Sequence, residues 1–306
     1  MARKKRNCVD VNGILLLDKP SSMTSNAALQ AAKRMFRACK AGHTGSLDPI
    51  ATGLLPLCFG EATKVSQFLL NADKRYRTFF KLGESTTTYD SEGDLIERRS
   101  VTVGRRVIER ALRRFEGEID QMPPMYSAIK RGGKSLYKFA RKGIDIDRTP
   151  RRVIIHKICC LDLREEYLEL EIHCSKGTYV RALAHDLGET LGCGAHVAGL
   201  RREAVGELRV EDAVGLDALA ALPTREDREA LLLPVDVALS GLPDVHLTPL
   251  AAHYLCRGQA VSVRHSHRPG WVRLYAGTTR FLGMGQILDD GRVAPRRLLL
   301  GDPHSD

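Results

Sequence analysis

The chain has 306 residues, 43% hydrophobic and 27% charged, enough to bury a core in one large domain or in two of unequal size. It contains no apolar run near the ~20 residues that cross a bilayer, and its basic start (Arg3, Lys4, Lys5, Arg6) leads into no apolar stretch, which argues against a signal peptide and makes the cytoplasm the expected location. Lys plus Arg number 47 against 37 Asp plus Glu, a net charge of +10, a balance that favours a polyanionic partner over a neutral one because neutralised phosphates release their counterions.

In chain order, residues 1–11 read as a flexible basic arm. Residues 13–17 form a short apolar run, expected as a buried strand, and Asp18 to Ser22 has turn chemistry. Ser25 or Asn26 is a candidate N-cap for a helix through Ala38. Residues 40–62 are rich in Gly, Thr, Pro and Asp and read mostly as a long loop, which in a compact domain is usually functional. Strands are expected at 76–82, 153–164 and 168–175, the last two paired. Helices are expected at 107–115, at 135–142 and at 179–191, the last ended by Gly192. Strands and helices alternate irregularly, so the expected class is α+β or mixed α/β rather than a doubly wound parallel sheet. Pro234, Gly241 and Pro243 mark a linker. Beyond it, short apolar runs at 260–263, 271–275, 281–287, 292–294 and 298–300, separated by glycines, predict a small all-β domain over 243–306.

The eight cysteines include no CxxC pair, and with no secretory signal they are expected to be reduced, partly buried thiols; zinc-ligand spacing is missing. There is no Walker A loop, GxGxxG, HExxH or GxSxG, so nucleotide cofactors and zinc hydrolysis gain no support. The densest chemical segment is Gly42-His-Thr-Gly-Ser-Leu-Asp-Pro-Ile-Ala-Thr-Gly53, where glycines permit close approach of a ligand to the backbone. Asp48 precedes Pro49, which biases it towards extended backbone. It is either a presented carboxylate or a simple Asx-turn residue. His43 alone reads more readily as a structural donor than as a reactive group.

The segment from Ala41 to Thr63, AGHTGSLDPIATGLLPLCFGEAT, closely resembles the signature of TruB-type pseudouridine synthases. Four further blocks follow the same family in order. They are Gly13 to Pro20; Lys74-Arg-Tyr76 with Leu82-Gly83, Thr86, Thr88, Asp90 and Gly93; Pro123 to Lys130; and Ser175-Lys-Gly-Thr-Tyr-Val-Arg181 through Leu200-Arg-Arg202. The resemblance spans about residues 12–206. Small departures are Ser46, where the family often has Ala or Thr, and His185, at a position that varies.

The resemblance implies a fold and a set of roles. The fold would be a catalytic domain over residues 12–242, with a central mixed, mainly antiparallel sheet flanked by helices and loops, and then a small β-barrel-like PUA domain that grips RNA. The activity would be isomerisation of uridine 55 to pseudouridine in the T loop of tRNA, with no cofactor and no metal, by a monomer without an obligatory protein partner. Asp48 matches the family's nucleophile, adding to C6 of the base or to the anomeric carbon of the ribose. Arg181 matches the residue that pairs with it and holds its pKa down. Tyr76 matches the aromatic residue that stacks on the extruded base and helps remove the C5 proton. Tyr179 and Leu200 match residues lining the uridine pocket, and His43 one that fills the gap left by base flipping. Lys19 and Lys130 are expected to support the loop or touch phosphates. A competing function, served equally by the basic surface, is a tRNA folding chaperone with dispensable chemistry. A guide-dependent enzyme of a larger RNA–protein particle fits less well.

Overall fold

A computed structural model describes residues 8–264 and 268–299; most of the expected N-terminal arm lies outside them. The chain builds β1 (Gly13–Lys19), α1 (Ser25–Met35), β2 (Ala41–His43), β3 (Thr52–Phe59), α2 (Ser66–Asn71), β4 (Lys74–Leu82), α3 (Arg105–Leu112), β5 (Gly117–Gln121), β6 (Arg151–Arg164), β7 (Tyr167–Cys174), α4 (Val180–Leu191), β8 (Ala195–Val205), β9 (Leu208–Arg209) and β10 (Val214–Gly215). The strands join one ten-stranded sheet whose main path runs β10-β1-β3-β8-β4-β7-β6-β5, with β2 added to β3 and β9 to β8. Only β1–β10 and β3–β8 are parallel, so the sheet is mixed and mainly antiparallel, as expected.

Burial explains the strand sequences. Gly-Ile-Leu-Leu-Leu of β1 is covered on both faces, so its apolar run is continuous rather than alternating. In β4 the pleat alternates, and Tyr76, Thr78, Phe80 and Leu82 turn inward while Arg75, Arg77 and Phe79 turn outward. Helix α4 lays Val180, Leu183, Ala184 and Leu187 on the sheet and ends at Gly192, whose φ of 79° is the left-handed C-cap predicted for it.

Several expectations are corrected. The N-cap of α1 is Thr24, whose hydroxyl accepts from the Ala27 amide, and the helix stops at Met35 because Arg37 adopts φ 52°. The expected long loop over 40–62 is instead strand over 41–43 and 52–59. Leu-Leu-Pro-Leu-Cys-Phe of β3 is buried against β1, which leaves only residues 44–51 as the loop that carries Asp48. The central strand β8 was read only as motif residues. Not all cysteines are thiols: Val9 bridges Ala38, which brings Cys8 and Cys39 to a Cα separation of 5.0 Å, and they form a disulfide. A pairing across 31 residues leaves no trace in local pattern.

The C-terminal segment forms β11 (Asp244–Leu247), α5 (Pro249–Cys256), β12 (Gly270–Ala276), β13 (Arg280–Ile287) and β14 (Val293–Leu298), a four-stranded mixed sheet in that order. The expected all-β reading missed α5, capped by Thr248 with Pro249 in its first turn, and among the described residues the strands run as an open path. Of the runs at 292–294 and 298–300, Val293, Ala294 and Leu298 belong to one strand, β14, while Val261 makes an isolated bridge to Val293; residue 300 lies outside the described residues. This sheet is seated on the main one. Met284 is fully buried with Leu69 and Leu239, and the Tyr275 hydroxyl donates to Asp236 at 2.7 Å.

Gly53 is the tightest point beneath the site. Its φ is 98°, and a Cβ there would lie 2.3 Å from the Arg202 carbonyl of β8. Gly53→Ala is therefore expected to lower the unfolding free energy by about 2 kcal/mol or more, read by urea denaturation.

Candidate active site

The loop over residues 44–51 is fastened on both sides. Ser25, on the first turn of α1, donates its hydroxyl to the Leu47 carbonyl (3.0 Å) and accepts from the Leu47 amide (2.7 Å). The fully buried Lys19 at the end of β1 donates to the carbonyls of Pro20, Met23 and Pro49 at 2.8, 2.6 and 3.3 Å, so it knots the Asp-Lys-Pro turn to the residue after Asp48. Burial lowers the Lys19 pKa to about 8, against the pull of Asp48 and Glu92.

Asp48 projects from this loop towards the start of α4. Arg181, 5% exposed, grips it bidentately, Nε to Oδ2 at 2.9 Å and Nη2 to Oδ1 at 3.1 Å. Arg181 is itself held by the carbonyls of Thr88 (3.0 Å) and Tyr126 (2.7 Å) and by Asp90 Oδ2 at 3.4 Å. Asp90, 2% exposed, accepts from the Thr88 hydroxyl and from the Glu92 amide at 3.1 Å, so the network is closed on its buried side. The Asp48 side chain keeps 39% of its surface, which faces a cavity of about 1050 Å³. Burial raises the Asp48 carboxyl above its ordinary range; Arg181 pulls it down and Asp90 pushes it up again. The net direction corrects the expectation that the neighbouring cation would hold it low.

His43, Tyr76, Tyr179, Arg181 and Leu200, scattered over four elements, line this one cavity together with Asp48. Tyr76 comes from the inward face of β4 and Leu200 from β8. Tyr179, at the N-cap of α4, is fixed through its backbone by Gln121, whose side chain exchanges two hydrogen bonds with it (2.8 and 3.0 Å). Burial pushes the Tyr179 phenol up and lowers the His43 imidazole. His43 Nδ1 is buried with no hydrogen-bond partner. Lys130, another cation named from the sequence, stands on the cavity wall with Lys74.

Two residues whose place is set only by the tertiary structure complete the cavity's charged frame. Asp90 buttresses Arg181; its only signal was a carboxylate within Thr-Thr-Thr-Tyr-Asp. Arg202 lies under the cavity floor, 1% exposed, donating to the carbonyls of Leu54 (2.7 Å) and Gly45 (3.1 Å). Its signal is a charged residue at an inward position of a strand. Away from the cavity, ligand atoms of Asp73, His156 and His173 lie within 4.8 Å of one another. Arg75 and Arg209 face this cluster and, with burial and His156, push His173 towards neutrality; the same positive field opposes a bound cation.

A carboxylate held by a buried guanidinium thus opens into a cavity lined by four tyrosines, on a mixed, mainly antiparallel sheet. Three family models cover the chain: the N-terminal domain of TruB family pseudouridylate synthase over residues 33–180, the tRNA pseudouridylate synthase B C-terminal domain over 181–240, and the C-terminal model of pseudouridine synthase II TruB over 243–299. The chain is 50% identical over 302 residues to tRNA pseudouridine synthase B of Pseudomonas aeruginosa, covering 98% of this chain and 99% of that one. It is 48% identical over 310 residues to the enzyme of the same name from Aeromonas salmonicida, covering 98% and 97%. The chain therefore belongs to the TruB family of pseudouridylate synthases. Its fold matches a Cbf5–Nop10–Gar1 complex structure with a TM-score of 0.70 at 25% identity, covering 95% of this chain and 84% of that one. It also matches an H/ACA RNP bound to a substrate RNA containing 2'-deoxyuridine, with a TM-score of 0.71 at 23% identity, covering 94% and 85%.

Removing one partner of a buried ion pair strands the other charge. Arg181→Met leaves Asp48 and Asp90 facing each other and is expected to cost about 3–5 kcal/mol of stability, with Asp48→Asn costing far less, both measured by urea denaturation.

Proposed function

We propose that this protein isomerises uridine 55 in the T loop of tRNA to pseudouridine, as a monomer that needs no cofactor and no obligatory protein partner. The observation that carries the reading is the Asp48–Arg181 pair, set at the mouth of a cavity lined by Tyr76, Tyr179 and Leu200. The names of its relatives, tRNA pseudouridine synthase B, supply the substrate class.

A target base inside a folded T loop has to leave its stack to meet Asp48. The cavity is large enough for a nucleoside, and its apolar wall, from Leu47 to Leu200, suits the faces of a uracil ring. His43, with its partnerless Nδ1 at the cavity edge, is suited to take the space of the extruded nucleotide and to find a hydrogen-bond partner on the RNA. Lys130, exposed on the cavity wall, supplies a cation for the phosphates, and the C-terminal sheet supplies a second grip on the RNA outside the cavity.

The chemistry then falls to Asp48. It attacks C6 of the base or the anomeric carbon of the ribose, the glycosidic bond breaks, the uracil turns, and C5 bonds to the ribose carbon. Arg181 fixes the direction of both Asp48 oxygens, and Asp90 keeps Arg181 from following the nucleophile. Poor solvation leaves the carboxylate reactive towards carbon. Tyr76, beneath the ring, tolerates a base that is turning over, and its oxygen takes the C5 proton in the last step.

Purified protein is incubated with an unmodified T stem-loop RNA carrying tritium at C5 of the uridines. Tritium release is expected with the native chain and none with Asp48→Asn, which keeps RNA affinity within about threefold. Tight RNA binding without release by the native chain would favour the chaperone function instead. The pH dependence has a definite sign. Attack needs ionised Asp48, and burial raises its pKa, so single-turnover rates should fall on acidification with a midpoint above the ~3.9 of an ordinary aspartate.

A further inference from the structure

Tyr76 and Arg202 are direct partners in the antiparallel pairing of β4 with β8, so their side chains stand on the same face of the sheet. Both line the cavity, yet Arg202 is 1% exposed. Its guanidinium donates to the Leu54 and Gly45 carbonyls, which flank the Asp48 turn, and its charge acts on the Tyr76 phenol beside it. Among the described residues it has no carboxylate within ion-pair distance. That is an unusual state for a buried cation, because desolvating an ion costs several kcal/mol and carbonyl dipoles offset only part of it. Arg181, in the same cavity, has two carboxylates for the same task.

We propose that Arg202 is a positioning residue for proton removal from C5, the buried counter-cation that allows the Tyr76 oxygen to act as the acceptor. This rests on the reading of Tyr76 given above and goes one residue further. The Tyr76 phenol gives its proton to solvent and becomes a phenolate paired with Arg202. Once C5 carries both the ribose carbon and its original hydrogen, the C5–H bond breaks and the proton moves to the phenolate oxygen. The bonding pair re-forms C5=C6 and displaces a pair onto N1, or back onto the Asp48 oxygen where an Asp48 ester occupies C6. Product release returns the phenol to its starting state.

Among the groups facing Tyr76, Arg202 is the largest favourable one. Burial holds the phenol up, at about 12, and both Cys174 from β7 and Asp48 from the loop oppose its ionisation, while Arg202 from β8 favours it. The pairing is also rigid. Gly53 lies so close to the Arg202 backbone that β8 has no room to slide, and the guanidinium is tied at two further points. Arg202 can hold the oxygen in place while the base above it moves.

The test uses the full chain with a T stem-loop RNA carrying hydrogen or deuterium at C5 of the target uridine, under single-turnover conditions. Arg202→Lys is expected to bind RNA within about threefold of the native chain, to react at least tenfold more slowly, and to show a larger C5 deuterium isotope effect, because proton removal now limits the rate. In a Tyr76→Phe background Arg202→Lys should add nothing further. The isotope effect is a ratio of rates, so it is unaffected by the fraction of folded protein, and Arg202→Gln provides the same readout should the lysine variant be poorly folded. An unchanged isotope effect in slowed variants, or additive losses in the Tyr76→Phe background, would overturn the proposal and mark Arg202 as structural. Native rates for Tyr76→Phe by itself would instead remove Tyr76 as the acceptor, and the role of Arg202 with it.

Discussion

A guanidinium taken almost wholly out of water dictates much of this molecule. Arg181 is stable in the interior only because two carboxylates and two carbonyls reach it, and those groups come from three separate stretches of chain. Each stretch must then be held at its own angle. The loop with Asp48 is pinned by Ser25 and Lys19. The segment with Asp90 is folded on itself through Thr86 and Thr88. The helix that carries Arg181 is pressed on the sheet by a row of small and aliphatic residues. The site is rigid because a displaced partner would leave a bare charge in low dielectric.

The same constraint distinguishes the two ends of the cavity. On one side, the cation is matched by carboxylates, and one of these is left partly open to the cavity. On the other, Arg202 is matched only by dipoles and a phenol. Both guanidiniums lie within reach of the same cavity, one matched by carboxylates and one by carbonyls and a phenol. That asymmetry suits a reaction that adds a nucleophile at one stage and removes a proton at another.

The chemistry was more legible in the sequence than the architecture. The loop around Asp48 stood out because glycines, a carboxylate before proline and an imidazole crowd into twelve positions, and ordered motifs along the chain allowed the other site residues to be carried over one by one. The strands β4, β6 and β7 and the helix α4 were legible because their periodicity and end signals agree. Strand β3 was misread as loop, since Gly and Pro inside a doubly covered strand mimic turn chemistry. Helix α5 was missed because its eight residues, Pro-Leu-Ala-Ala-His-Tyr-Leu-Cys, lack a clean polar face.

The sequence by itself determined the family, the mixed class of the fold, the identity of the nucleophile candidate and the basic character of the surface, because these depend on local pattern and composition. Tertiary structure alone decided the roles of Asp90 and Arg202, the upward direction of the Asp48 pKa, and the joining of Cys8 to Cys39. Each depends on burial and on distances between groups far apart in the chain, quantities that local sequence pattern does not encode.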